Sequence, residues 1–255
     1  RIIHFKFKLM PVEIFKKNQQ ASGSFNNGEI LENKPIGFPQ DGGTVKPYSN
    51  LFYWAHAWTP GKKSKIGLHP HKGFEICSFI LKGNINHYDN KIDDWITLDE
   101  GDVQIIRSGS GISHAEEIDE NSEIFQIWFI PDLSVSLYEN ASYNDYKKDE
   151  FPVESNQNFT KKIIKGNKSP LSMKSEKIEI NQYDINKGKI EISTSSNFTH
   201  SFFIIDGKIS LENQKMEKSD FAILNNSSKI TIESSSDSSI FEIKSPLIPS
   251  YNVNI

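Results

Sequence analysis

The sequence predicts an all-β protein made of two tandem barrels, and three observations lead there. Short runs of apolar, β-branched and aromatic residues recur between turn signals along most of the 255 residues. Hardly any stretch carries the 3.6-residue apolar period of an amphipathic helix. The two halves of the chain also echo one another at matching turn landmarks.

Taken in order, Arg1–Leu9 alternates its apolar residues with Lys6 and Lys8, which suits a strand better than a signal-peptide core. Met10 is the first methionine, consistent with residues 1–9 being an upstream extension or an incomplete start. Turns at Asn26-Asn27-Gly28 and Asp41-Gly42-Gly43 precede the apolar and aromatic run 51–58. Strands follow at 74–81, 84–88, 95–98, 103–106 and 124–130, each closed by Gly, Asp, Asn or Pro. Residues 131–175 are polar and aperiodic. The expected division is a first barrel over 1–132, a linker with a short helix over 133–160, and a second barrel over 161–255. Strand-like runs in the second barrel lie at 162–164, 178–183, 189–193, 201–205, 208–211, 220–224, 229–233 and 240–243.

The echo is specific in places. Phe79-Ile80-Leu81-Lys82-Gly83-Asn84-Ile85 matches Phe203-Ile204-Ile205-Asp206-Gly207-Lys208-Ile209 in pattern, and Glu100-Gly101-Asp102-Val103 matches Lys218-Ser219-Asp220-Phe221. A duplicated barrel is the expectation.

Composition removes several function classes. Lys plus Arg (29) nearly balance Asp plus Glu (33), and a net charge of −4 gives no electrostatic basis for direct nucleic-acid binding. No run approaches 18 apolar residues, so no membrane-spanning helix is expected. The single cysteine, Cys77, excludes an intramolecular disulfide and fits a reducing cytoplasm. Asn-X-Ser/Thr triplets at Asn140, Asn158, Asn197 and Asn226 are read as products of an Asn- and Ser-rich composition. Neither a Gly-X-Ser-X-Gly elbow nor a phosphate-binding Gly loop is present, and Ser108-Gly109-Ser110-Gly111 reads as a turn.

The chemistry concentrates in two short pairs. His69 and His71 flank Pro70, and His114 and Glu116 flank Ala115. Spacing of i, i+2 on a strand turns both side chains of a pair to one face. Two such strands side by side would converge three imidazoles and a carboxylate, a donor set for one divalent transition metal with open coordination positions. Pro70 suits an edge or bulged strand. Glu75 and Cys77 share the parity of His71; Glu75 is an alternative ligand, a carboxylate supporting one, or a hydrogen-bonded or rim carboxylate, and Cys77 a small core residue. His87 is expected to orient a turn or strand end, and His56 to be a satisfied core histidine among aromatics. Trp54, Trp58, Phe79, Trp128 and Phe129 are core candidates, with one or two able to wall a metal cavity. The second half carries only His200 without a neighbour at i+2.

The stretch His69-Pro70-His71-Lys72-Gly73-Phe74-Glu75, then Gly83, His87, Gly101-Asp102-Val103-Gln104, Gly109, Gly111-Ile112 and His114-Ala115-Glu116, resembles the pirin family of bicupins. The resemblance is dense over residues 66–130 and mainly architectural after 160. It implies two tandem cupin (jelly-roll) barrels with one mononuclear metal in the first, held by His69, His71, His114 and Glu116, with Fe(II) the expected ion. It also implies a quercetin 2,3-dioxygenase-like oxidoreductase that cleaves a flavonol or similar enediol with O₂. Glu116 would then serve as general base. The alternative is a non-enzymatic iron- or redox-sensing protein acting through a protein partner such as a transcription regulator. The chain departs from the family at Ser110, where an arginine is common, at Ile105 and Ile106 in place of Trp-Met, at Arg107 in a small-residue place, and after Pro246, where a Gly-Pro-Phe-bearing tail is absent.

Overall fold

The computed structural model describes residues 12–253; the strand expected within 1–9 lies outside the described residues. Eleven strands come first: β1 (Val12–Phe15), β2 (Ala21–Phe25), β3 (Ile30–Ile36), β4 (Leu51–Trp58), β5 (Ser64–His71), β6 (Glu75–Lys82), β7 (Asn84–Asp89), β8 (Asp94–Asp99), β9 (Val103–Arg107), β10 (Ile112–Ile118) and β11 (Glu123–Phe129). After α1 (Leu133–Ser136) the series repeats: β12 (Ser142–Tyr146), β13 (Val153–Ser155), β14 (Phe159–Lys165), β15 (Glu179–Ile185), β16 (Gly188–Ser193), β17 (Phe198–Asp206), β18 (Lys208–Leu211), β19 (Gln214–Glu217), β20 (Phe221–Leu224), β21 (Lys229–Ser234) and β22 (Ser238–Pro246).

The strands form four antiparallel sheets. Seven-stranded sheets run β12-β9-β6-β11-β4-β3-β2 and β1-β20-β17-β22-β15-β14-β13; four-stranded sheets run β5-β10-β7-β8 and β16-β21-β18-β19. Adding eleven to each strand label carries one four-stranded sheet onto the other. The same shift relates the seven-stranded sheets, except that each first strand has changed places. β1 pairs with β20 of the second barrel, and β12 pairs with β9 of the first. The duplication read from the sequence is therefore an eleven-strand repeat, and Phe79, Gly83, Ile85 and Asp102 fall opposite Phe203, Gly207, Ile209 and Asp220 in it. Even the clamps correspond. Asp102 accepts from Lys147 Nζ (2.6 Å) and the Lys148 N–H (3.1 Å), while Asp220 accepts from Lys16 Nζ (2.7 Å) and the Lys17 N–H (3.2 Å).

This pairing differs from the division expected at 132 and 160. Residues 12–15 belong to the second barrel's sheet, and the polar stretch called a linker contains β12, which completes the first. Ser-Tyr-Asn-Asp-Tyr has no apolar alternation, so its strand character arises from the sheet edge it joins rather than from its own pattern.

The seven-stranded sheets face each other across a shared core. Trp54 of β4 lies 5.4 Å from Phe125 and 6.0 Å, stacked, from Phe203; Phe221 and Phe241 meet it edge-on at 5.4 and 5.7 Å. Both faces of β4 are buried, which is why residues 51–58 read as an unbroken apolar run. Cys77 is in this core, where burial pushes its thiol well above the usual range and leaves it inert. His56 sits there too, its Nε2 3.3 Å from Glu123. Among the described residues no helix is long and apolar enough to cross a membrane.

Candidate metal centre

β5 is an edge strand of the first barrel's outer sheet, as Pro70 required. It pairs with β10 so that His69 stands opposite His114, but Ile66 stands opposite Glu116. Three steps on β5 thus match two on β10, a β-bulge at Gly67-Leu68 that turns His69 to the same side as Ile66. In the sister barrel the equivalent ladder has no bulge: Ile190 faces Ile232 and Ile192 faces Ile230. Isoleucines that belong to the second barrel's core therefore occupy the places of His69, His114 and Glu116. The second barrel lacks the site because apolar packing fills it.

The bulge brings His69, His71 and His114 together, with one nitrogen from each lying within 4.8 Å of the others. Their rings are 4.4 to 4.9 Å apart. His69 Nδ1 is 2.8 Å from the Gly67 carbonyl, so it donates and leaves Nε2 with a free lone pair. His71 Nε2 and both ring nitrogens of His114 are buried without a hydrogen-bond partner. Burial, reinforced by the neighbouring histidines, pulls His71 and His114 down to about 3. Both are neutral at physiological pH, as metal ligands must be. Buried lone pairs left unsatisfied in such a cluster are costly unless something accepts them, and a divalent transition metal fits.

Glu116 is buried beside this cluster and stands outside the three-histidine group. Both its oxygens accept from Gln126 Nε2 at 2.8 Å. Glu75, weighed as an alternative ligand, faces the other way: its carboxylate accepts from the N–H groups of Lys174 (2.7 Å) and Ser175 (2.8 Å) and from Ser175 Oγ (2.6 Å). Parity counted from His71 fails because the chain reverses at Gly73, whose φ is +92°. His87 is not at a strand end. It is fully buried, pairs through Nε2 with Asp89 at 2.9 Å, and lies 5.5 Å ring to ring from His114. Asp89 also accepts from the Lys91 and Ile92 N–H groups, fixing the dyad behind His114.

One side of the histidine cluster is aromatic. Phe74 and Trp128 stack at 5.0 Å, Tyr53 lies 4.5 Å from Trp128, and Phe38 and Phe52 close the patch. His71 meets both Phe74 and Trp128 edge-on. In the second barrel His200 has no histidine two residues away, as the sequence indicated, and other groups satisfy it. It donates from Nδ1 to Glu242 at 2.8 Å and accepts from the Ser195 N–H at Nε2. Asn181 and Tyr183 complete a network with no free lone pair on that imidazole.

Two tandem antiparallel barrels, one with a histidine cluster and one packed solid, define a bicupin. A pirin family model matches residues 35–129. A Zymomonas mobilis protein whose name provisionally assigns it to quercetin 2,3-dioxygenase is 27% identical over 181 residues, covering 69% of this chain and 74% of its own. The quercetin 2,3-dioxygenase of Escherichia coli is 34% identical over 70 residues, 26% of this chain and 30% of that one. In three dimensions, a bacterial pirin from Escherichia coli, solved with nickel(II), superposes with a TM-score of 0.77 at 19% identity over 93% of this chain and all of that one. Over residues 35–129 the chain matches the pirin family, and its overall fold is that of the bicupin pirin structures.

Proposed function

We propose that this protein holds one divalent transition metal, Fe(II) in its working state, through His69, His71 and His114, and uses it to oxygenate a planar enediol such as a flavonol. The observation that carries this reading is the set of buried, partnerless nitrogens on neutral histidines converging beside an aromatic wall. Names of the relatives, and the nickel in the Escherichia coli pirin, agree with it. When bound, the metal would supply Lewis acidity toward an enediol oxygen and a redox partner for dioxygen.

The chain's own residues do the rest. Phe74 and Trp128 offer stacked faces against which a planar ring lies, and Phe38 and Phe52 exclude water from that side. Glu116 is a buried carboxylate placed to take a hydroxyl proton at one of its oxygens, and Gln126 Nε2 fixes the orientation of both oxygens. His87 and Asp89 hold the floor beneath His114.

The test is anaerobic reconstitution with iron, elemental analysis, and oxygen uptake on a panel of flavonols and related enediols. The reading expects one metal per chain, lost in His114→Ala, and metal-dependent oxygen consumption. Absence of turnover across the panel with metal bound would remove the enzymatic half. It would favour the alternative, an iron- or redox-responsive protein that engages a protein partner. Leu68, 60% exposed on the bulge next to His69, is the feature that would present such a surface.

A further inference from the structure

Two places where the barrels meet are related by the eleven-strand repeat but carry different charges. Register fixes the correspondence. Phe79, Phe125, His56 and Asn33 pair in turn across β6, β11, β4 and β3, and Phe203, Phe241, Gln182 and Lys162 do so across β17, β22, β15 and β14. Two residues before Phe125 and Phe241 stand Glu123 and Ser239, opposite Lys82 and Asp206. At the first place the Glu123 carboxylate lies between His56 Nε2 at 3.3 Å and Lys218 Nζ at 3.6 Å. At the second, the shorter Ser239 only accepts from Gln182 Nε2 at 3.3 Å and donates to Asp184 at 2.7 Å. A crevice of about 460 Å³ is left beside Gln182. Ile80, Leu81 and Ile205 make part of its lining apolar, and Lys148 and Lys162 bring positive charge. Lys148 Cδ and Lys162 Nζ each lie 3.5 Å from the point that a Cβ on Gly101 would occupy, so both side chains converge over a residue that has none. Among the described residues neither ammonium makes a hydrogen bond or an ion pair.

We propose that this crevice binds a small carboxylate with an apolar body, its head between Lys148 and Lys162 and its body against Leu81 and Ile205. The ligand supplies from solution the group that Glu123 supplies from the chain at the related place. A half-buried ammonium without a partner is costly, and a carboxylate is the partner it lacks. Burial pulls the Lys162 amine below the usual lysine range, with Asp184 opposing and Lys148 assisting. The carboxylates nearby leave the lysines available: Asp102 is taken by Lys147 Nζ and the Lys148 N–H, and Asp184 by Ser239. Glu100, exposed in the lining, disfavours a second negative charge, so a monocarboxylate fits better than phosphate. Leu81 and Gly101 belong to the first barrel, Lys162 and Ile205 to the second, so the ligand touches both. This site is separate from the histidine cluster and does not depend on a metal.

Benzoate is the probe, titrated calorimetrically into the full chain after chelation, so that no metal can capture it. One benzoate per chain is expected, and methyl NMR should show Leu81 and Ile205 shifting while Ile66, beside the histidines, stays still. Lys162→Met keeps the aliphatic stem and should weaken binding about tenfold, the scale of one charge-assisted hydrogen bond. Lys148→Met should act in the same direction, and it carries the test if Lys162→Met does not fold. Lys161→Met removes the neighbouring charge, which is paired with Glu154 at 3.5 Å, and should leave the affinity unchanged. Ser239→Glu restores a tethered carboxylate and should abolish benzoate binding. No benzoate binding in the millimolar range would overturn the proposal. So would unchanged affinity in both the Lys148 and Lys162 variants, an equal loss in Lys161→Met, or shifts at Ile66 in place of Ile205. Inorganic phosphate binding more tightly than benzoate would overturn the carboxylate assignment.

Discussion

Replacing Glu75 with alanine should loosen the second barrel from the first without touching the histidines. Its carboxylate, 1% exposed, is the acceptor for three donors from the segment that enters β15. Lys174 is exposed, and its N–H can turn to water, but the backbone and hydroxyl donors of Ser175 are buried. Two buried donors left unpaired cost roughly 1–3 kcal/mol each, so the loss is about 3 to 4 kcal/mol. For a chain of this size each kcal/mol moves the midpoint by about 2–4 °C, which places the Glu75→Ala transition about 10 °C below wild type. Glu75→Gln retains the volume and one acceptor oxygen but turns an NH₂ group toward a donor, so it should fall between. Thermal unfolding followed by circular dichroism measures both, and Co(II) titration of the folded variants should match wild type. A Glu75→Ala midpoint within 2 °C of wild type, or a loss of metal affinity as large as that of a histidine variant, would refute the assignment.

Gly83→Ala should lower the urea midpoint by an amount equal to about 1 kcal/mol or more, since φ is +71° and a Cβ there would collide with the Ser122 side chain; an unchanged midpoint would contradict it. Glu123 is held down to about 2, first by its hydrogen bond to His56, with burial opposing and Lys218 of the second barrel assisting. Because its folded value lies below the unfolded 4.5, its contribution is complete above that value and disappears as pH falls from 4.5 toward 2. Glu123→Gln should therefore flatten the acid limb of a stability–pH curve, and an unaltered slope would count against the pairing. Grafting histidines into the sister barrel with Ile192→His and Ile230→His should create no second metal site, because that ladder lacks the bulge that re-aims His69; two metals per chain by elemental analysis would show the bulge to be dispensable.

Much of this was legible in the residues. His69-Pro70-His71 and His114-Ala115-Glu116 announced adjacent strands, and Gly83 with Gly207 marked the repeat. Three features were hidden for physical reasons. The turn at Gly73 breaks face parity, so Glu75 and Cys77 point away from the histidines although the count from His71 placed them together. Gln126 belongs to no motif, and its contact with Glu116 crosses from one sheet to the other, a relation no spacing encodes. The edge strand Ser142–Tyr146 takes its conformation from Val103–Arg107, so its own polar composition reads as a connection.

The exchange of first strands has a consequence for how the chain is made. Val12 finds its partner at Leu224, so the chain through Leu224 must leave the ribosome before Val12–Phe15 can dock. The first barrel is likewise left with an open edge along Val103–Arg107 until Ser142–Tyr146 has emerged. Neither barrel can be finished by its own half of the message. Under mechanical load the same arrangement acts as a clasp, in which tension applied at Val12 must first break its pairing with the second barrel.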